Sequence, residues 1–217
     1  METYNIEEKK RKNRPRKSLF AILVAVLLCL ALSSCGGKVN TSLGSNVAKS
    51  NELLNEYPKS DMSGYAGLKG YEQETLFVDV TVDDIEKLMK DKASFVVYAG
   101  FSDCPWCNAL IAGLNDVAQE EDIVIAYLDT RKNPEWTNNM DIDDYDKLVK
   151  YFGEWIGEDA NGDKHLYVPE LFFVNSGEPV FGRAGLLEGL SSPTDRMTDD
   201  QIQALNEELK ACVDLIR

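Results

Sequence analysis

Three observations predict an α/β domain with a mixed central sheet. Strand-like and helix-like segments alternate between residues 75 and 156, and the strand-like ones are short apolar runs of the kind buried on both faces. The last two strand-like runs form a hairpin, and a helix follows it. At 217 residues, 44% hydrophobic and 28% charged, the chain has the size and composition of one compact domain with additional segments.

The elements follow in order. "TLFVDV" (75–80) opens the domain as a strand. In "TVDDIEKLMKDK" (81–92), Thr81 suits the N-cap of a helix, Asp84 stands three residues on, and Ile85, Leu88 and Met89 share one face. "SFVVYAGF" (94–101) is a short buried strand leading into "SDCPWC", from which a helix carries Leu110, Ile111, Leu114 and Val117. "DIVIAYLDT" (122–130) is a third strand. A helix in "DIDDYDKLVKYFGEWI" (141–156) presents Tyr145, Leu148, Val149 and Phe152, and the polar turn "GEDANGDKH" follows. "PELFFVNSGEPVFGRAG" (169–185) is two strands around an Asn-Ser-Gly-Glu turn. A final helix begins at about Thr198, with Ile202, Leu205, Leu209, Cys212 and Leu215 or Ile216 at helical spacing. Cys212 reads there as a small buried hydrophobe.

The N-terminal part is different. A basic block, "KKRKNRPRKS" (9–18), precedes fourteen uncharged residues, "LFAILVAVLLCLAL" (19–32), and then "SSCGG". The run is shorter than the roughly 20 residues a permanent membrane helix needs, so residues 1–34 read as a signal peptide, with an anchor helix as the alternative. Leu32-Ser33-Ser34-Cys35 is similar to the lipobox of bacterial lipoproteins. That resemblance implies a lipid on Cys35 and a place on the extracytoplasmic face of a cell membrane. Residues 35–74, rich in Gly, Ser, Asn and Lys, then read as the lipidated cysteine and a flexible tether with one short helix near Leu53, Leu54 and Tyr57. The domain proper is expected over 75–217.

Loss of residues 1–34, which carry a net +4, takes the formal charge from −14 to −18. So acidic a surface would be repelled by nucleic acid and by anionic head groups, leaving lipid as the means of membrane attachment. Cleavage also removes Cys29. With Cys35 blocked, the remaining thiols are Cys104, Cys107 and Cys212.

A CxxC pair can hold a metal, staple a loop or exchange disulfides. Structural zinc takes about four ligands, and this chain offers one pair and a single His165, so no metal site is expected. A staple would suit an oxidising compartment, but "CPWC" closes almost no loop. Redox chemistry fits the position, because the unpaired N–H groups and partial positive charge of a helix start stabilise a thiolate on the first cysteine. Two intervening residues bring the second sulfur within reach, and Pro105 suits the first helical position because its missing N–H is not needed there.

The order of elements, with "FSDCPWC" after the second strand and "VPELFFVNSGEPV" leading into the closing hairpin, resembles the thioredoxin-like fold over about residues 75–217. The resemblance implies a three-layer α/β fold in which Val168-Pro169 is a cis peptide against the dithiol. It makes Cys104 the nucleophile and Cys107 the resolving cysteine, joined in the oxidised state by a disulfide. Pro105, Trp106, Val168 and Pro169 would line the substrate groove. More narrowly, the lipoprotein start, "CPWC" and "IAYLDTRKN" are similar to the bacteriocin transport accessory group.

Two departures from the thioredoxin pattern stand out. Tyr98 occupies the place of a buried Asp six residues before the nucleophile, and Ile125 that of a Lys four residues before Asp129. Both members of a buried charge pair are thus replaced, which avoids leaving one charge uncompensated. A proton relay to Cys107 would need Tyr98, His165 or a water. The second departure is length: Asp129 and Pro169 lie forty positions apart, room for a helical insertion before the hairpin, with Trp136, Tyr145, Phe152 and Trp155. These aromatics could shape a groove, though their spacing suits the apolar face of an added helix.

The expectation is a membrane-anchored extracytoplasmic thiol–disulfide oxidoreductase. It would act on exported proteins or peptides, with no cofactor beyond its redox-active disulfide and with a partner that recycles it. The alternative class is a non-catalytic thioredoxin-like binding module assisting peptide export. Asp103, beside the nucleophile, is expected to raise the Cys104 pKa somewhat as a like charge. "DANGD" (159–163) echoes a calcium loop but has Lys164 at the sixth position where glycine belongs, so an Asn-Gly turn explains it.

Overall fold

A computed structural model describes residues 42–68, 74–131, 140–185 and 198–217. The expected leader, the lipidation site Cys35 and Trp136 of the insertion lie outside the described residues. Helices are α1 Ser42–Leu54, α2 Val82–Lys90, α3 Pro105–Glu121, α4 Ile142–Phe152 and α5 Asp199–Val213. Strands are β1 Phe77–Asp79, β2 Phe95–Gly100, β3 Ile125–Asp129, β4 Gly157–Glu158, β5 Lys164–His165, β6 Glu170–Asn175 and β7 Glu178–Ala184.

Five strands form one sheet in the order β1-β3-β2-β6-β7. β1, β3 and β2 run parallel, and β6 and β7 are antiparallel to their neighbours. β2 is the middle strand and wholly buried, as its unbroken apolar sequence requires.

The two-residue period of the strands sorts their side chains into two cores. Val96, Tyr98, Ile125, Tyr127, Leu171 and Phe173 face α3 and α5. Phe95, Val97, Ala99, Ala126, Leu128, Phe172 and Val174 face α2 and α4. The expected three layers are therefore present.

The caps are those the sequence specifies. Thr81 accepts from the Asp84 N–H and the Asp84 carboxylate accepts from the Thr81 N–H; Thr198 and Gln201 repeat the arrangement at the start of α5. The hairpin turns at Ser176 and Gly177, both with positive φ (51° and 83°), which suits a two-residue connection. Along the last helix Leu205, Leu209, Cys212 and Ile216 are buried as spaced, whereas Ile202 and Leu215 are exposed.

Residues 42–68 differ from the tether expected of them. Val47, Leu54, Met62, Tyr65 and Leu68 are buried in the two cores. Asn51 accepts the Val124 N–H at 3.0 Å and donates to Asp122 O at 2.6 Å, while Ser50 Oγ accepts the Ser94 N–H at 2.7 Å. Residues 58–60 then lie antiparallel to β1, with Asp79 N–H donating to Pro58 O at 2.8 Å and Ser60 N–H to Phe77 O at 3.0 Å. The segment thereby covers an edge strand that would otherwise present unpaired backbone groups. Its Gly and Ser content concealed a sparse apolar pattern that pays off only against a sheet.

The insertion is α4 followed by the β4–β5 ribbon. Phe152 is fully buried, its ring 4.3 Å from that of Phe172, and Trp155 packs on Gly182, so these aromatics serve the core. The ribbon turn is held by Asp159 Oδ1, which accepts the N–H groups of Asn161 (2.8 Å) and Asp163 (3.0 Å). Among the described residues no helix is long and apolar enough to cross a membrane.

Candidate active site

Cys104 is the N-cap of α3, with Pro105 at its first position, so the backbone turns from β2 into the helix at Cys104 itself. Its Sγ accepts the Cys107 N–H at 3.2 Å and donates to Val168 O at 3.8 Å. Val168–Pro169 is cis, and Pro169 is buried. The sequence-predicted residues thus converge: Val168 and Trp106 pack against the apolar cluster that holds both cysteines, while Pro105 faces outward. Both cysteines are free thiols in this structure.

The two sulfurs are electrostatically unlike. A hydrogen bond from the Cys107 thiol, joined by the backbone N–H groups of Cys107 and Trp106, outweighs burial and brings the Cys104 pKa from 9.0 down to about 7. Burial pushes Cys107 strongly upward, and its donation to Cys104 adds to this. Of the two, Cys104 therefore ionises first, about half of it thiolate near pH 7, while Cys107 remains a thiol.

Asp103 does not act as a like-charge neighbour. Its side chain is 79% exposed and paired with Arg131 at 3.0 Å, and the Arg131 guanidinium stands 4.9 Å from the Phe101 ring centroid. No upward push from Asp103 on Cys104 is found, and its carboxylate is paired with a cation 28 residues along the chain. His165 sits exposed on β5 with its ring 4.3 Å from that of Tyr167.

Of the further site residues only Tyr98 carried a signal in the sequence, as the replacement for a buried Asp. Asn108, next after Cys107, clamps the active-site loop by donating to Ser102 O and to Cys104 O (3.1 Å), and its Oδ1 accepts the Gly67 N–H at 3.1 Å. Tyr65 reaches the same core from the segment read as a tether. Tyr98, Tyr65 and Tyr127 bring their hydroxyls together beneath the dithiol, with Tyr98 to Tyr65 at 3.3 Å and Tyr65 to Tyr127 at 3.0 Å. Glu170 follows Pro169 and lies opposite Ala99, fully buried on the α4 face of the sheet. Burial drives its carboxyl up to about 8, opposed in part by the Tyr167 N–H. A cavity of about 280 Å³ between α4 and the ribbon is lined by Thr130, Met140, Tyr145, His165 and Leu166.

No family model and no curated protein matches the chain. Solved structures similar to it include a provisionally assigned oxidoreductase with a thioredoxin fold, at 15% identity over 63% of this chain and 93% of that one, TM-score 0.40. Mitochondrial thioredoxin 3 from Saccharomyces cerevisiae, in oxidised form, is 14% identical over 61% and 92%, TM-score 0.35. Thioredoxin O2 from Arabidopsis thaliana, also oxidised, is 11% identical over 67% and 98%, TM-score 0.36. The fold of this chain is read from its own strand order and from the proline beside its dithiol.

Proposed function

We propose that the chain is a thiol–disulfide oxidoreductase acting on exported proteins or peptides, held by lipid on Cys35 at the extracytoplasmic face of a bacterial membrane. One arrangement carries the reading. Cys104 Sγ caps a 17-residue helix, accepts the Cys107 N–H at 3.2 Å and lies 3.8 Å from Val168 O, with Cys107 buried behind it. The likeness of the N-terminal region, "CPWC" and "IAYLDTRKN" to the bacteriocin transport accessory group supports exported peptides as the substrate class.

In the reducing direction the Cys104 thiolate attacks one sulfur of a substrate disulfide. The Cys104–substrate bond forms, the substrate S–S bond breaks, and its electron pair leaves on the other substrate sulfur, which takes up a proton. Cys107 then gives up its proton and attacks Cys104. The Cys104–Cys107 bond forms and the first substrate sulfur leaves as a thiolate. Two electrons have passed to the substrate, and substrate oxidation is the same sequence reversed. A redox partner that recycles the dithiol sets which way it runs.

The test is capture in cells with a Cys107→Ser variant, which lets Cys104 attack but removes the resolving thiol. The expected result is a mixed disulfide between Cys104 and an exported protein, in the membrane fraction, with Cys35→Ser releasing the protein from membranes. Absence of any Cys104 adduct, with cells indifferent to Cys104→Ser, would replace catalysis with a binding role.

A further inference from the structure

We propose that Tyr98, Tyr65 and Tyr127 form a hydrogen-bond donor chain that stabilises the sulfur of Cys107 as it becomes a thiolate in the resolving step. The inference rests on the oxidoreductase reading above. Three buried hydroxyls in one core are costly unless they satisfy each other, and these do. Tyr98 Oη lies 3.3 Å from Tyr65 Oη, Tyr65 Oη lies 3.0 Å from Tyr127 Oη, and Tyr127 donates to Gly100 O at 3.4 Å. Tyr98 and Tyr127 are cross-strand neighbours with stacked rings 5.5 Å apart, and Tyr65 closes the group from outside the sheet.

Gly100 brings this chain to the sulfur. A Cβ there would stand 2.7 Å from Tyr98 Oη and 3.1 Å from Cys107 Sγ, so both atoms occupy space that any other residue would take. The Tyr98 hydroxyl and the Cys107 sulfur therefore face each other across the space left by Gly100, and donation from Tyr98 favours the Cys107 thiolate. Hydroxyl protons rotate freely, so Tyr98 can turn its O–H onto Cys107 while Tyr65 donates to Tyr98. The groups that bear on the cluster are Cys104 and Cys107 from α3 and its cap, and the carboxylates Asp79 and Asp129, which act on Tyr127.

The chemistry follows from the donor character of the chain. A phenol at neutral pH is a poor base, so the Cys107 proton passes to solvent or to the departing substrate thiolate. The hydroxyls supply a charge-assisted bond to the sulfur left behind, which is stronger than a neutral one. Tyr98 is the member that faces the reacting sulfur across Gly100, whereas Tyr65 and Tyr127 position it. Attack by Cys104 involves none of them.

Oxidised glutathione serves as probe, because the two steps release separate glutathione molecules: the first on attack by Cys104, the second on resolution by Cys107. Tyr98→Phe keeps the ring and removes the hydroxyl. The first release should keep its rate, while the second slows about 10-fold or more and its pH midpoint moves upward. Tyr65→Phe should show the same pattern more weakly. If circular dichroism shows Tyr98→Phe unfolded, Tyr65→Phe decides: a slowed second release supports the chain, and an unchanged one overturns it. An unchanged second release in folded Tyr98→Phe overturns it while leaving the oxidoreductase reading intact. Absence of any first release from the unmodified protein overturns both.

Discussion

Glu170 carries the clearest consequence of burial at a single residue. Its carboxyl is fully buried beside Pro169 and held near 8, against an ordinary 4.5, chiefly by desolvation. A raised carboxyl pKa favours the protonated folded state. Stability from this residue is therefore complete below about pH 4.5 and declines as pH rises through 8, because the unfolded chain releases its proton first. Glu170→Gln removes the titration. Unfolding in urea at pH 5 and pH 9 should show the unmodified protein losing ~4 kcal/mol more than the variant across that interval; equal losses would mean the carboxyl is solvated. The sequence exposed Cys104, Cys107 and Pro105 because they belong to a local pattern with its own physics, and Pro169 through the resemblance to the thioredoxin-like fold. It hid Glu170, Tyr65 and Arg131, whose significance is set by partners far along the chain, such as Ala99, Tyr98 and Asp103.

Among the elements, α1 and the turns after it are the largest revision. Leu54 is fully buried against the α2 side of the sheet, and Asn51 and Ser50 bind the backbone at Val124 and Ser94. Leu54→Ala should cost about 2–5 kcal/mol of global stability, read as a lowered urea midpoint at unchanged slope. A tether would show no change. Residues 42–68 also support the site, through the Gly67 N–H on Asn108 and through Tyr65. The elements read correctly include α2 by its capping box, α5 by the spacing of its apolar residues, β2 by its apolar sequence and β6–β7 by the turn between them. Residues 42–68 were misread because isolated apolar residues among Gly and Ser resemble a linker until the sheet edge they cover is known.

Across the whole molecule, the mixed sheet places the start of α3 and the cis-proline at neighbouring strand ends, which is how residues 64 positions apart meet at Cys104. Alternation of strand and helix made that layout legible; the polar groups beneath it, linked tyrosine hydroxyls on one face and the buried Glu170 carboxyl on the other, depend on register and were not. The account turns on the difference between the two sulfurs, with Cys104 poised as thiolate and Cys107 locked as thiol. The direct measurement is the pH dependence of iodoacetamide alkylation of the reduced protein, with the modified residue located by mass spectrometry. Modification of Cys104 alone, rising to half its maximal rate near pH 7, is the predicted result. A midpoint near 9, or modification of Cys107 first, would contradict it.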